Sequence, residues 1–275
     1  MNRKKIFKPL LLFAMTLAGT LFARGASNVS INGIVYNVVF NVGSNSATAS
    51  VIGYYDVSGD LVIPSTIPVD NGGGVASVLS IGYHAFYQCY GLTSVTIPNT
   101  VTYIGSCAFC RCNNLTSVNI GNSVTYIGAD AFNGTRLTSL TIGNSVTSID
   151  EWAFFDIYNG QCVTVKCLGK IPPVWAHEFC FDVIYSIYFG GKLLVPVGTT
   201  EIYKSTNYWN KFDLIFEIIP GDLDGDGLVA INDVTDLIDI LLTGGNHENA
   251  DVNGDGIVSI NDVTNLIDIL LTGSN

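Results

Sequence analysis

The chain has 275 residues, 48% of them hydrophobic and 13% charged, with a formal net charge of −11. That length and apolar content exclude wholesale disorder and allow two modest domains with packed cores. The acidic balance argues against nucleic acid as a partner, because phosphate binding needs clustered Lys and Arg.

Residues 1–25 place Arg3, Lys4, Lys5 and Lys8 before an apolar run from Leu10 that closes in small residues near Ala23 and Gly25. This is the layout of a secretory signal peptide. The run is shorter than the roughly 20 apolar residues a membrane span requires, so the protein is expected to be exported and not membrane-spanning. Removing the segment leaves 7 basic residues against 23 acids, a net charge of −16 that suits a secreted protein binding cations. The first cysteine is Cys89, so no cysteine near the cleavage region offers an acyl anchor.

Residues 26–60 read as an N-terminal β segment capping a repeat array, and residues 61–218 as that array with its closing element. Ile81-Gly82, Ile104-Gly105, Ile127-Gly128 and Ile149-Asp150 recur at spacings of 23, 23 and 22 residues, each followed by Ala-Phe. The recurring apolar positions, Leu92, Val95, Ile97, Val101, Ile104, Ala108, Phe109 and their counterparts, mark a solenoid. One coil cannot bury that set alone, but stacked coils bury it against each other. Within each coil, L-T-S-V-T-I reads as a short strand, and Pro98-Asn99, Gly121-Asn122 and Gly143-Asn144 mark its turn. Stacking puts Asn99, Asn122 and Asn144 in one column, where their side chains can bond between coils. Cys89 and Cys112 occupy equivalent inward positions and read as small buried thiols. Cys107, Cys110 and Cys112 form a C-x-x-C-x-C run, but no second cluster or paired histidine completes a four-ligand metal site.

The pattern I-G-x-x-A-F-x-x-C-x-x-L-T-S-V-x-I-P from Ile81 to Pro98 resembles the BspA-like leucine-rich repeat family. Asn32 to Tyr54 is similar to that family's short N-terminal β segment, and Lys192 to Ile218 to the element that closes its coils. The resemblance implies a surface or secreted protein that binds other proteins and is not a catalyst.

Only three histidines are present, His84, His177 and His247, and no two are close in sequence. Asp150, Glu151, Asp156 and Glu178 are carboxylates without a recognisable acid–base spacing. No G-x-S-x-G, H-E-x-x-H or phosphate-binding glycine loop occurs. His84 stands where other coils carry Cys107, Asp130 and Trp152, a variable position expected to face solvent. Tyr83, Tyr87, Tyr90, Tyr103 and Tyr126 are expected to be partly exposed, either covering apolar edges or contacting protein or sugar.

Residues 222–244 and 251–273 say nearly the same thing twice, with 18 of 23 positions identical. A calcium loop of the EF type takes oxygen from positions 1, 3, 5, 7, 9 and 12, with glycine at 6. The first copy supplies Asp222, Asp224, Asp226, the carbonyl of Leu228 and Asp233, with Gly227 at 6 and Ala230 leaving position 9 to water. The second supplies Asp251, Asn253, Asp255, the carbonyl of Ile257, Ser259 and Asp262, with Gly256 at 6. Hard oxygens at this spacing suit calcium, at two ions, better than magnesium or zinc. After each loop, Val234, Leu237, Ile238 and Leu241, and Val263, Leu266, Ile267 and Leu270, follow helical spacing and predict two helices packed through those faces.

A duplicated loop-helix with Asp at position 12 resembles type I dockerin, a module that folds around two calcium ions and plugs into cohesin domains. The resemblance assigns partner recognition to loop positions 10 and 11, here Ile231 and Asn232, and Ile260 and Asn261. Ile240 and Ile269 lie roughly 110° around the wheel from the predicted core stripe and are expected to extend that partner face.

The fold expected is a mainly β leucine-rich solenoid followed, over residues 219–275, by a small α calcium-binding module of two loop-helix repeats. The function expected is a secreted or cell-surface, non-catalytic binding or adhesion protein. Its solenoid would contact a protein or carbohydrate ligand and its module a cohesin-like partner. Two alternatives stand beside it: a subunit of a polysaccharide-degrading enzyme, since dockerins often tether glycoside hydrolases, and a calcium module acting only as a structural cap.

Overall fold

The computed structural model describes residues 27–40, 46–69, 74–155, 163–176, 191–212, 214–223, 229–243, 249–253 and 257–272. The expected signal peptide, His177, His247, Asp156, Glu178 and the loop residues Asp224, Asp226, Leu228 and Asp255 lie outside them.

The chain opens with β1 (Ser27–Ile31) and β2 (Ile34–Phe40), joined at Asn32-Gly33, both with positive φ (50° and 81°). Asn-Gly is the pair that a tight hairpin turn of this hand requires. The antiparallel ladder continues to β3 (Ala47–Tyr54), and β3 then pairs in parallel with β6 (Gly74–Ile81), handing the hairpin over to the solenoid. Between them, β4 (Gly59–Val62) joins a second sheet, and β5 (Thr66–Val69) runs antiparallel along β6.

Each coil then contributes one strand to each of two sheets. The L-T-S-V-T-I segments are β7 (Leu92–Ile97), β9 (Ser117–Ile120) and β11 (Ser139–Ile142). They continue into β13 (Thr164–Cys167), β15 (Lys192–Val195) and β16 (Leu214–Glu217), all in parallel register. The opposite sheet is built from two-residue strands, β8 (Tyr103–Ile104), β10 (Tyr126–Ile127), β12 (Ser148–Ile149) and β14 (Val174–Trp175). Among the described residues the sheets have nine and seven strands. The residues recurring as apolar in the sequence, from Leu92 to Phe109 and their counterparts, point into one core between these sheets.

The arc between the sheets has a ladder of its own. His84 N–H donates to the Ser106 carbonyl, Phe86 to Ala108 and Gln88 to Cys110, and the next two coils repeat this from Cys107, Phe109 and Arg111 and from Asp130, Phe132 and Gly134. His84, Gln88, Cys107, Arg111, Asp130 and Trp152 all hold φ between 55° and 60°. Left-handed backbone is uncommon outside glycine. Here it turns every second N–H toward the next coil, so buried polar groups that would otherwise go unpaired are satisfied.

The phenylalanines under this arc form a file. Phe86, Phe109, Phe132 and Phe154 stack at 5.0, 5.1 and 5.2 Å between successive ring centroids, with Tyr54 before the first at 5.9 Å. The asparagine column is present as expected: Asn122 N–H donates to Asn99 Oδ1 at 2.7 Å and Asn144 N–H to Asn122 Oδ1 at 3.1 Å. Cys89 and Cys112 are both buried, and the Cys112 thiol donates to the Phe86 carbonyl. The array closes on Trp209 and Tyr203, which are buried and donate to the carbonyls of Pro173 and Gly169.

A second, separate core contains Leu223, Val234, Leu237, Ala250, Val263 and Leu266. It lies between two helices of equal length, Ile231–Thr243 and Ile260–Thr272, one after each acidic loop. No helix among the described residues is long and apolar enough to cross a membrane.

Candidate functional site

The two acidic loops close in the same way. Asp233 stands in the first turn of its helix, where the exposed N–H groups favour a carboxylate. It is fully buried: one oxygen accepts from Leu223 N–H at 2.7 Å, ten residues back, and the other from Ala230 N–H at 2.7 Å. Asp262 repeats the arrangement, with one oxygen accepting from Val252 and Asn253 N–H at 2.8 and 3.1 Å and the other from Ser259 N–H at 2.8 Å. Burial by itself pushes the Asp262 carboxyl up. The N–H groups of Ser259, Asn253 and Val252, with the Ser259 hydroxyl, outweigh it and hold the group below the usual range.

The position-12 aspartate thus ties the entry of each loop, at position 2 (Leu223, Val252), to its exit at position 9 (Ala230, Ser259). Sequence reasoning assigned these aspartates only as cation ligands and missed this closure, although the shared spacing to Leu223 and Ala230, and to Val252 and Ser259, carried the signal. Asp222 is buried, Asp251 and Ser259 are half-buried, and Asn253 and Ile257 are exposed. The donors present are carboxylate, amide, hydroxyl and carbonyl oxygens, which suit a hard cation. Among the described residues no three of His, Cys, Asp and Glu come together as a metal site. The Cys107, Cys110 and Cys112 thiols are free.

At loop positions 10 and 11, Ile231 and Ile260 are 74% and 68% exposed, and Asn232 and Asn261 are exposed beside them. The rest of the expected partner face needs correction. Ile240 and Ile269 are half-buried, Ile240 packing on the module's core, whereas Ile238 and Ile267, expected in the core, are 39% exposed. The buried Asp233 explains the difference. With Val234 and Leu237 it centres the inward face so that, at 100° per residue, Ile238 falls about 90° away and Ile240 only about 65°. Leu242 and Leu271, each 79% exposed, form an equivalent pair that the sequence pattern did not single out.

On the solenoid, Tyr83, Tyr90 and Tyr103 are exposed and Tyr87 and Tyr126 half-buried. Tyr103 and Tyr126 cover each other's faces, stacked at 5.2 Å and 7°. Tyr126 donates its hydroxyl to Asp150 Oδ2 at 2.5 Å; that bond first, then burial, pushes the phenol up to about 12. His84 and Trp152 face solvent as expected, while Cys107 and Asp130 at the same position are half-buried.

This geometry is that of a leucine-rich repeat. Residues 78–182 match the BspA type leucine-rich repeat region in six copies, and the chain belongs to that family. A leucine-rich repeat protein from Bacteroides capillosus ATCC 29799 shares 30% identity over 44% of this chain and 85% of its own, with a TM-score of 0.38. The T. pallidum leucine-rich repeat protein shares 22% identity over 62% and 73% of the two chains, with a TM-score of 0.47. A leucine-rich cell surface protein from Faecalibacterium prausnitzii A2-165 shares 21% identity, with a TM-score of 0.35; the match covers 70% of this chain and 54% of that one. No curated protein matches the chain.

Proposed function

We propose that this is an exported, non-catalytic binding protein in which the solenoid contacts a protein ligand and the C-terminal module, folded around two calcium ions, docks to a cohesin-like domain. The observation that carries the reading is the duplication in three dimensions. Asp233 and Asp262 close their loops through the same N–H positions, and each closure leaves an Ile-Asn pair exposed next to it. Calcium would be held in the first loop by Asp222, Asp224, Asp226, the Leu228 carbonyl and Asp233. In the second it would be held by Asp251, Asn253, Asp255, the Ile257 carbonyl, Ser259 and Asp262. Its charge would offset an acidic module that, from Asp222 onward, contains 11 Asp and Glu and no Lys or Arg. Among the proteins it resembles, that from F. prausnitzii is described as a cell surface protein, which agrees with export and display outside the cell.

The test is binding of the full chain to an immobilised panel of cohesin domains, in calcium and in chelator. Binding is expected in calcium alone. Because the copies are near-identical, Ile231→Asp with Asn232→Asp should weaken it little, and adding Ile260→Asp and Asn261→Asp should abolish it while circular dichroism shows that the helices persist. A folded quadruple variant that still binds contradicts the assignment of the docking face. An unmodified chain that binds none of the panel favours the structural cap.

A further inference from the structure

The outward column of the seven-stranded sheet changes character along the solenoid. In register across β7, β9, β11 and β13 it reads Thr96, Asn119, Thr141 and Lys166. Thr96 and Asn119 are exposed, as outward strand positions should be, but Thr141 is 8% and Lys166 only 5% exposed. What covers Lys166 is identifiable. Its ammonium donates to Asn249 Oδ1 at 2.7 Å, across 83 residues of sequence. Asn249 belongs to the connection between the two loop-helix copies, and its amide donates to the Asp222 carbonyl at 2.6 Å. Gly221 N–H donates in turn to the Asn249 carbonyl. Asn249 therefore joins a buried solenoid lysine to position 1 of the first acidic loop.

We infer that Lys166 is a latch that seats the C-terminal module on the outer face of the seven-stranded sheet, so that the two parts form one fixed particle. Three observations support it. A lysine ammonium withdrawn from water needs compensating acceptors. The module that meets it holds the chain's densest run of acids and no cation of its own among Lys and Arg. The contact runs through Asn249, which reaches Lys166 with its side-chain oxygen and the loop with its side-chain nitrogen, so it specifies one seating. Ile231 and Ile260 remain 74% and 68% exposed with the module so seated, which leaves the proposed docking face open.

Where the first loop is a calcium site, as proposed above, the latch and the ion are coupled. Since Asn249 holds Asp222 by its carbonyl, a seated module presents position 1 already placed, and ion binding and seating must favour each other by the same factor.

The experiment uses the full chain in calcium and compares small-angle X-ray scattering of the parent, Lys166→Met and Asn249→Ala, with calcium calorimetry on the same samples. The parent should scatter as one compact particle. Both variants should scatter as two tethered bodies with an increased radius of gyration, and one of two calcium sites should weaken about fivefold or more. Superimposable profiles for the parent and both variants overturn the latch, as does a parent that already scatters as two tethered bodies. If Lys166→Met loses the solenoid's thermal transition, Asn249→Ala, which lies outside the solenoid core, decides. Absence of calcium heat in the parent defeats the calcium reading but leaves the scattering comparison to decide the latch.

Discussion

The ring of Phe109 lies on that of Phe132 with 5.1 Å between centroids and 4° between planes. Phe109 also stacks on Phe86, so each ring in the file is shared by two coils and its loss is felt in both directions. Phe109→Ala is expected to cost about 3 to 5 kcal/mol, the usual range for a large aromatic removed from a packed core. Thr96→Ala, on the exposed side of a coil strand, should stay within about 0.5 kcal/mol. Denaturant unfolding measures both, and equal midpoints for Phe109→Ala and the parent would mean that the file does not bear on stability.

The asparagine column makes a smaller prediction. Asn122 accepts from Asn144 N–H and donates its own N–H to Asn99, yet its side chain is exposed, so water can replace part of what is lost. Asn122→Ala should cost about 0.5 to 1.5 kcal/mol. A destabilisation as large as that of Phe109→Ala would show that the column does more than pair turn amides.

Close approach of successive coils makes Gly128 sensitive to a single carbon. A Cβ there would lie 2.6 Å from the Ser106 nitrogen and 2.8 Å from the Gly105 carbonyl carbon, both backbone atoms of the preceding coil. Gly128→Ala is therefore expected to cost about 1 to 3 kcal/mol, as overpacking does where backbone must move. An unchanged thermal midpoint would contradict this spacing of the coils.

The parts legible in the sequence were those with a period. The strand segments, the phenylalanine file, the asparagine column and the two C-terminal helices all repeat a side-chain pattern at fixed spacing, and each lies where that spacing put it. The two-residue strands at Tyr103, Tyr126 and Ser148 were hidden because two residues show no alternation. The left-handed arc was hidden because it is populated by His84, Cys107, Asp130 and Trp152 rather than by glycine, and its reason is a backbone ladder to the next coil. The misplacement of Ile238 and Ile240 came from drawing the core stripe through the apolar residues alone, Val234, Leu237, Ile238 and Leu241, and leaving Asp233 out of it. A carboxylate whose two oxygens each accept a backbone N–H can be buried like a hydrophobe, and here it turns the helix. Lys166 gave no sign because the surface that covers it comes from residues 83 positions later.

The loop closures predict that Asp262→Ala harms the module before any partner is considered. The change takes the carboxylate acceptor from the N–H groups of Val252, Asn253 and Ser259, a loss of about 1.5 to 3 kcal/mol for hydrogen bonds to a charged group. Hydrogen exchange should show faster exchange at these amides and through the helix Ile260–Thr272, with β7 and β9 unaffected. Unchanged exchange at Val252 and Ser259 would contradict the closure.

Calorimetric titration of the full chain with calcium, paired with far-ultraviolet circular dichroism in chelator, tests the central claim most directly. The account predicts two bound ions, one in Asp226→Ala and one in Asp255→Ala, because position 5 of each loop supplies a carboxylate. It also predicts helical signal that is lost in chelator and returns with calcium, since the acidic module lacks cations to offset its repulsion. No calcium heat in the parent, two ions in both variants, or helical signal indifferent to chelator would contradict it.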